Sequence, residues 1–135
     1  IPGLTIDRAL PPEQALLDFA RAFRAIIMDE TFMALTRLAV TTAEYRSTLS
    51  DQGWLNQNRS LMVLSKYLRG AMRDGTFRKV NVDRAGERFL ASILGFSRTR
   101  RLLWGYPPEP PREVELYLRE AVDAFVRDLR QVETG

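Results

Sequence analysis

The sequence predicts an all-α domain, a bundle of five or six helices. Apolar residues recur at three- and four-residue steps along most of the chain, the spacing of one helix face. Start and stop signals separate these stretches: Pro12-Glu13, Asp29-Glu30, Asp74-Gly75, Asn81 and the proline run 107–111. No stretch alternates apolar and polar residues over the length of a strand. With 135 residues, 45% of them hydrophobic and 27% charged, the chain is large enough for a single core without covalent staples.

Residues 1–11, with Pro2, Gly3 and Pro11, read as a lead-in to the domain, which spans 12–135. Pro12 suits the first turn of a helix because its missing N–H has no role there, and Glu13 favours the positive end of the dipole. Leu16, Phe19, Ala20, Phe23, Ile26 and Ile27 carry that helix to about Met28. A second helix is expected from about Glu30 to Val40, with Phe32, Leu35, Leu38 and Ala39 inward. Thr41-x-x-Glu44 has the form of a capping box, and a short helix is expected from about Tyr45 to Leu49. Ser50-Asp51-Gln52-Gly53 is a turn signal, after which a long helix runs from Trp54 or Leu55 to Arg73. Gly75 is placed to take the left-handed cap conformation. Thr76 to Val80 is then an extended connection, and Asn81 or Asp83 caps the next helix.

The last two helices carry more apolar surface than one core needs. On Val82 to Phe96, one stripe is Val82, Ala85, Phe89, Ile93 and Phe96, and a second beside it is Gly86, Leu90 and Leu94. A helix apolar over so much of its circumference requires cover on two sides. Gly86, Ala91, Ser92 and Gly95 are small enough for another helix to approach. On Arg112 to about Val132 the stripe is Val114, Tyr117, Leu118, Ala121, Val122, Phe125 and Leu129. The far side pairs Glu115 with Arg119 and Asp123 with Arg127, a solvated layout. The pattern leaves two readings open: both stripes close this domain's own core, or they meet a second copy of the chain.

Composition removes several chemistries. Without Cys there is no disulfide or thiolate metal site, and without His the commonest general base and zinc ligand are gone. Neither a catalytic triad, Glu-x-x-His pairs, a GxGxxG turn nor a phosphate-binding loop is present, so no catalytic residue, metal or cofactor is assigned. No apolar run approaches the roughly 20 residues that span a bilayer, and Ile1 to Leu4 lack a signal-peptide layout, which points to a cytoplasmic protein without a membrane partner. The net charge of +3 is spread among acids apart from Arg98, Arg100 and Arg101, too thin a patch for a nucleic-acid surface.

The order of these elements resembles the C-terminal ligand-binding and dimerisation domain of TetR-type bacterial transcriptional repressors. Pro12 to Ala20 is similar to the first helix after the DNA-reading module, and Phe32 to Val40 to the second. Tyr67 to Phe77 resembles the end of the long pocket helix and its turn. Ala85 to Leu90 and Glu120 to Phe125 resemble the two helices that build the dimer interface. The AefR-like branch, with its proline-interrupted last helices, is the nearest in layout.

The resemblance implies a homodimer whose last two helices form a four-helix bundle with those of its partner. Phe89, Leu90, Ile93, Leu94, Leu118, Val122, Phe125 and Leu129 are the expected interface. It implies a small hydrophobic effector that shifts the dimer between two arrangements. DNA would be bound only through an N-terminal helix-turn-helix absent from these residues, so that Ile1 begins a truncated product. The family has no invariant effector motif, so pocket residues rest on residue type alone. Phe23, Ile27, Trp54, Met62, Tyr67 and Trp104 are large and suited to an apolar or aromatic ligand, and Trp104 and Tyr106 alternatively seal the end of the bundle. The rival to a sensor is a helical interaction module without small-molecule binding.

Overall fold

The first helix, α1 (Pro12–Ile27), forms the centre of the molecule. The computed structural model describes residues 4–42 and 59–130. Pro11 precedes α1 in an extended conformation, Pro12 occupies its first position, and Glu13 sits in the first turn, as the sequence predicts. Its buried face is Ala15, Leu16, Leu17, Phe19, Ala20, Phe23 and Ile27.

Asp29 ends the turn after α1 by accepting a hydrogen bond from Phe32 N at 3.1 Å, which starts α2 (Glu30–Thr41). That start fixes the phase of α2, and the phase differs from expectation. Met33 is the buried residue, while Leu35 and Leu38 are exposed. At about 100° per residue, positions 35 and 38 lie roughly 200° and 140° around the helix from Met33, on the outer side. Thr41 is the last residue of α2, and its hydroxyl donates back to Arg37 O at 2.9 Å; Glu44, the other half of the expected capping box, lies outside the described residues. The expected short helix 45–49 lies outside the described residues.

The described part of α3 covers 59–73 and buries Leu64, Tyr67, Leu68, Ala71 and Met72. Gly75 takes φ +84°, the left-handed conformation expected of it, and Asp74 Oδ1 accepts from Thr76 N at 3.0 Å to tighten the turn. The extended segment after it buries Phe77 completely and pairs with the C-terminal end of the domain, Arg78 N donating to Leu129 O at 2.8 Å.

Asn81, not Asp83, caps α4 (Val82–Leu94), its side chain accepting from Arg84 N at 3.0 Å. This helix stops two residues earlier than the periodicity suggests. Gly95 takes φ +53° and turns the chain, so Phe96 leaves the stripe of Phe89 and Ile93 and stands 72% exposed. A separate helix, α5 (Ser97–Trp104), follows where the sequence shows only a basic turn. Gly105 at φ +64° ends it, and Pro110 and Pro111 start α6 (Pro111–Leu129).

The core joins α1, α3, α4 and α6. Phe19 and Phe23 of α1 stack at 6.2 Å, Phe19 lies 6.5 Å from Phe89 of α4, and Phe89 lies 4.5 Å from Phe125 of α6. These rings make one aromatic column across three helices, each pair adding about 1 kcal/mol beyond burial of its area. Leu118, Val122, Val126 and Leu129 close the column from α6. The molecule is all-α: among the described residues the sole extended pairing is the isolated bridge between Phe77 and Arg130.

Candidate functional site

The six residues expected to line a ligand pocket are placed in different parts of the molecule. Phe23 and Ile27 are buried on α1, one turn before its C-terminal end and at that end. Tyr67 is also buried, but at the other end of α1. It lines a small surface cleft of about 90 Å³ with Arg8, Leu10, Pro12 and Asp74. Burial, and then the nearby charge of Asp74, push its phenol pKa up, so it remains protonated. Met62 and Trp104 are exposed, at 61% and 64%. Trp54 lies outside the described residues. Only Phe23 and Ile27 are brought together, and neither Trp104 nor Tyr106 seals the bundle, since both stand in solvent.

The turn between α1 and α2 gathers features that residue type alone does not show. Met28 and Met33 are buried there, on either side of the Asp29 cap. Over this turn lies α5, held by its backbone. Arg37 of α2 donates to Arg101 O at 3.0 Å and Leu102 O at 3.2 Å, and Arg101 Nη1 donates to Met28 O at 2.8 Å. Arg24, on α1, is largely buried and reaches Glu109 in the proline-rich loop at 3.5 Å. Desolvation lowers its pKa, against the pull of Glu109 in the opposite direction, with the like charge of Arg101 adding to the lowering. The proline-rich segment is therefore tethered by Glu109, not by its aromatic residues.

The expected interface set divides by burial. Phe89, Ile93 and Leu129 have no exposed surface, and Leu118 and Val122 almost none, so within one chain their side chains are already enclosed. Leu90, Leu94 and Phe125 are half-buried. Leu90 and Leu94 follow Gly86 at four-residue steps, and a Cβ at Gly86 would meet Leu61 of α3 at 2.8 Å, so that flank of α4 faces α3. The other flank faces α6, where the Tyr117 hydroxyl donates to Ser92 O. Between α4 and solvent on this side lie Ala91 and Gly95, and on α6 the exposed Tyr117 and Ala124 beside half-buried Ala121 and Phe125. This seam of small residues and aromatic edges is open on the surface of the chain.

The opposite side of α6 is polar. Arg21 of α1 grips Glu115 through two nitrogens, Nε lying 3.0 Å from Oε2, and Arg119 adds a contact at 3.2 Å. The groove between α1 and α6, about 320 Å³, is lined by Glu13, Gln14, Arg21, Arg119 and Asp123 with Leu17 and Val122. Its balanced charges suit solvent, not an apolar ligand. Among the described residues no cluster of three or more acidic side chains is placed to hold a metal ion, and no helix is long and apolar enough to cross a membrane.

Comparison with known proteins bears on the whole arrangement. A crystal structure from Mesorhizobium loti MAFF303099, assigned to the TetR-family transcriptional regulators, superposes with a TM-score of 0.79 at 20% identity. The match covers 92% of this chain and 62% of that one, so the chain spans less than two thirds of that protein's length. No curated protein matches the sequence. The model of the AefR-like transcriptional repressor C-terminal domain matches residues 14–128, from the first turn of α1 to the last turn of α6. The succession of helices and the sequence that builds it thus agree over the same span, and the chain belongs to the C-terminal domain family of the AefR-like, TetR-type transcriptional repressors.

Proposed function

We propose that this domain senses a small apolar or aromatic effector and dimerises, controlling a helix-turn-helix module that these residues do not include, in the cytoplasm of a bacterium. The observation that carries the reading is the family match across 14–128, which includes both α1–α2 and α4–α6. Phe23, Ile27, Met28 and Met33 make the α1–α2 turn apolar and buried, and the small-residue seam on α4 and α6 gives a second copy a surface to approach. The mechanism is a population shift. An effector that binds one arrangement of the dimer better than the other changes the distance between two DNA-reading heads. Reciprocity then requires that operator binding weaken effector binding by the same factor, about 5- to 150-fold in typical systems.

Native mass spectrometry of the purified chain tests this directly. The expected result is a dimer, carrying additional mass that organic solvent removes when an effector has been retained through purification. A monomer at micromolar concentration would count against the reading. One observation favours a helical interaction module instead: Phe96, Leu103 and Trp104 form an exposed stripe along α5. A monomer that captures no small molecule would shift the function to that stripe.

A further inference from the structure

Arg98 turns its Nε inward, where no acceptor among the described residues meets it. It is the second residue of α5 and stands three residues before Arg101, so the two share the inner side of that helix. Arg101 reaches Met28 O from this side, which sets it over the α1–α2 turn where Ile27, Met28 and Met33 are buried. Every neighbouring arginine has a partner. Arg24 has Glu109, Arg37 and Arg101 have backbone carbonyls, and Arg100 lies over the Phe96 ring at 5.8 Å. Arg98 Nε is sealed from solvent and makes no hydrogen bond. Among the described residues no carboxylate pairs with this side chain, and burial alone pushes its pKa down.

A half-buried guanidinium with an orphan N–H destabilises the empty domain, because it gives up water and receives no acceptor in return. A methionine would cover the same surface at lower cost. Groups perturbed in this way by burial concentrate at functional sites, where a ligand supplies what the protein withholds.

We propose that Arg98 is the anion anchor of the effector site, and that the sensed molecule carries a carboxylate on an apolar body. The carboxylate would meet the guanidinium fork, and the body would have to part α5 from the α1–α2 turn to reach the buried Ile27, Met28 and Met33. The inference rests on the sensing function proposed above and specifies the ligand class. One planar cation matches one carboxylate, whose two oxygens fit its paired donors. A phosphate dianion would bring a second charge into the same apolar surroundings, where Arg24, Arg37 and Arg101 are already engaged.

Calorimetric titration of the 135-residue chain with octanoate and benzoate, against the neutral octanamide and benzamide, tests the anchor. The acids are expected to bind at least about tenfold more tightly than the amides, the ratio one charge-assisted pair supplies. Arg98→Gln should abolish that preference and leave amide affinity unchanged, while Arg98→Lys should retain part of it. Equal affinity for acid and amide in the unsubstituted chain, or a preference that survives Arg98→Gln, overturns the anchor and leaves sensing intact. So does failure of both acids to bind at millimolar concentration, and the mass carried by the native dimer then decides the sensing function separately. A second measurement needs no ligand. Arg98→Met should raise the melting temperature by roughly 3 °C, the shift that relief of one uncompensated charge gives a domain of this size. A lower melting temperature would show that Arg98 already has a partner within the chain, and would overturn the proposal.

Discussion

The hydroxyl of Tyr117 fills the space that a Cβ on Gly95 would need. It lies 2.5 Å from that position, and it donates to Ser92 O on the helix that Gly95 terminates. Gly95 also has φ +53°, so glycine is required there both by backbone and by neighbour. Gly95→Ala should destabilise the domain by about 1–3 kcal/mol in urea unfolding. Tyr117→Phe should cost about 1 kcal/mol for the lost hydrogen bond. Combined, the two should cost less than their sum, because removing the hydroxyl makes room for the new methyl group. Strict additivity would mean that the backbone conformation alone excludes alanine.

Phe89 is the middle ring of the aromatic column and has no exposed surface. Phe89→Ala should cost about 3–5 kcal/mol, the range for a large buried ring replaced by a cavity. Oligomeric state at temperatures where the variant remains folded should not change, since a partner has no access to this side chain. Dissociation of a folded variant would require that the ring reaches the surface in solution.

Ala124 tests the complementary point. It is exposed on the seam between α4 and α6 and packs in no core. Ala124→Arg should leave the melting curve of the monomeric unit within about 0.5 kcal/mol. It should convert a dimer to a monomer in light-scattering chromatography, because a bulky charge blocks close helix approach. A dimer that persists would place the twofold axis elsewhere.

The grip of Arg21 on Glu115 sets a dependence on acid. Arg21 holds the Glu115 carboxyl below the ordinary carboxylate range, partly offset by desolvation and helped by Arg119. A carboxylate whose folded pKa is depressed stabilises the protein above its unfolded pKa, and the benefit is lost as pH falls through the folded value. Glu115→Gln should therefore be less stable than the parent at neutral pH and equal to it in strong acid. Because both side chains are well solvated, the difference should be under about 1 kcal/mol and should shrink in high salt. A constant gap across the pH range would indicate that packing, not charge, is what the substitution removes.

Helices with strong signals are legible in the sequence, and those with weak ones are not. Pro12, Asn81 and Gly75 act as expected because each fixes its own backbone: a missing N–H, a side-chain acceptor, a positive φ. The periodic face of α1 is read correctly for the same local reason, whereas on α6 the stripe missed the buried Val126 and included Tyr117, which is exposed beside Gly95. The phase of α2 is not, because Leu35 and Leu38 are as apolar as Met33 and only the cap at Asp29 selects among them. A helix at 97–104 is hidden by its three arginines, whose inward side is decided by tertiary contacts with Met28 and Arg37. Residue type alone does not foretell exposure: Trp104 is in solvent, while Arg98, one of a thin basic patch in the sequence, has its Nε enclosed. The one available signal was spacing, since Arg98 and Arg101 fall on the same helical side.

Sixteen residues make α1 a rod about 24 Å long. It is clasped to α6 along its side by Arg21 and Glu115 and at its foot by Glu13 and Arg130. Fastened at two heights, the rod keeps one register against α6: a shift of α1 along its own axis would have to break both ion pairs at once.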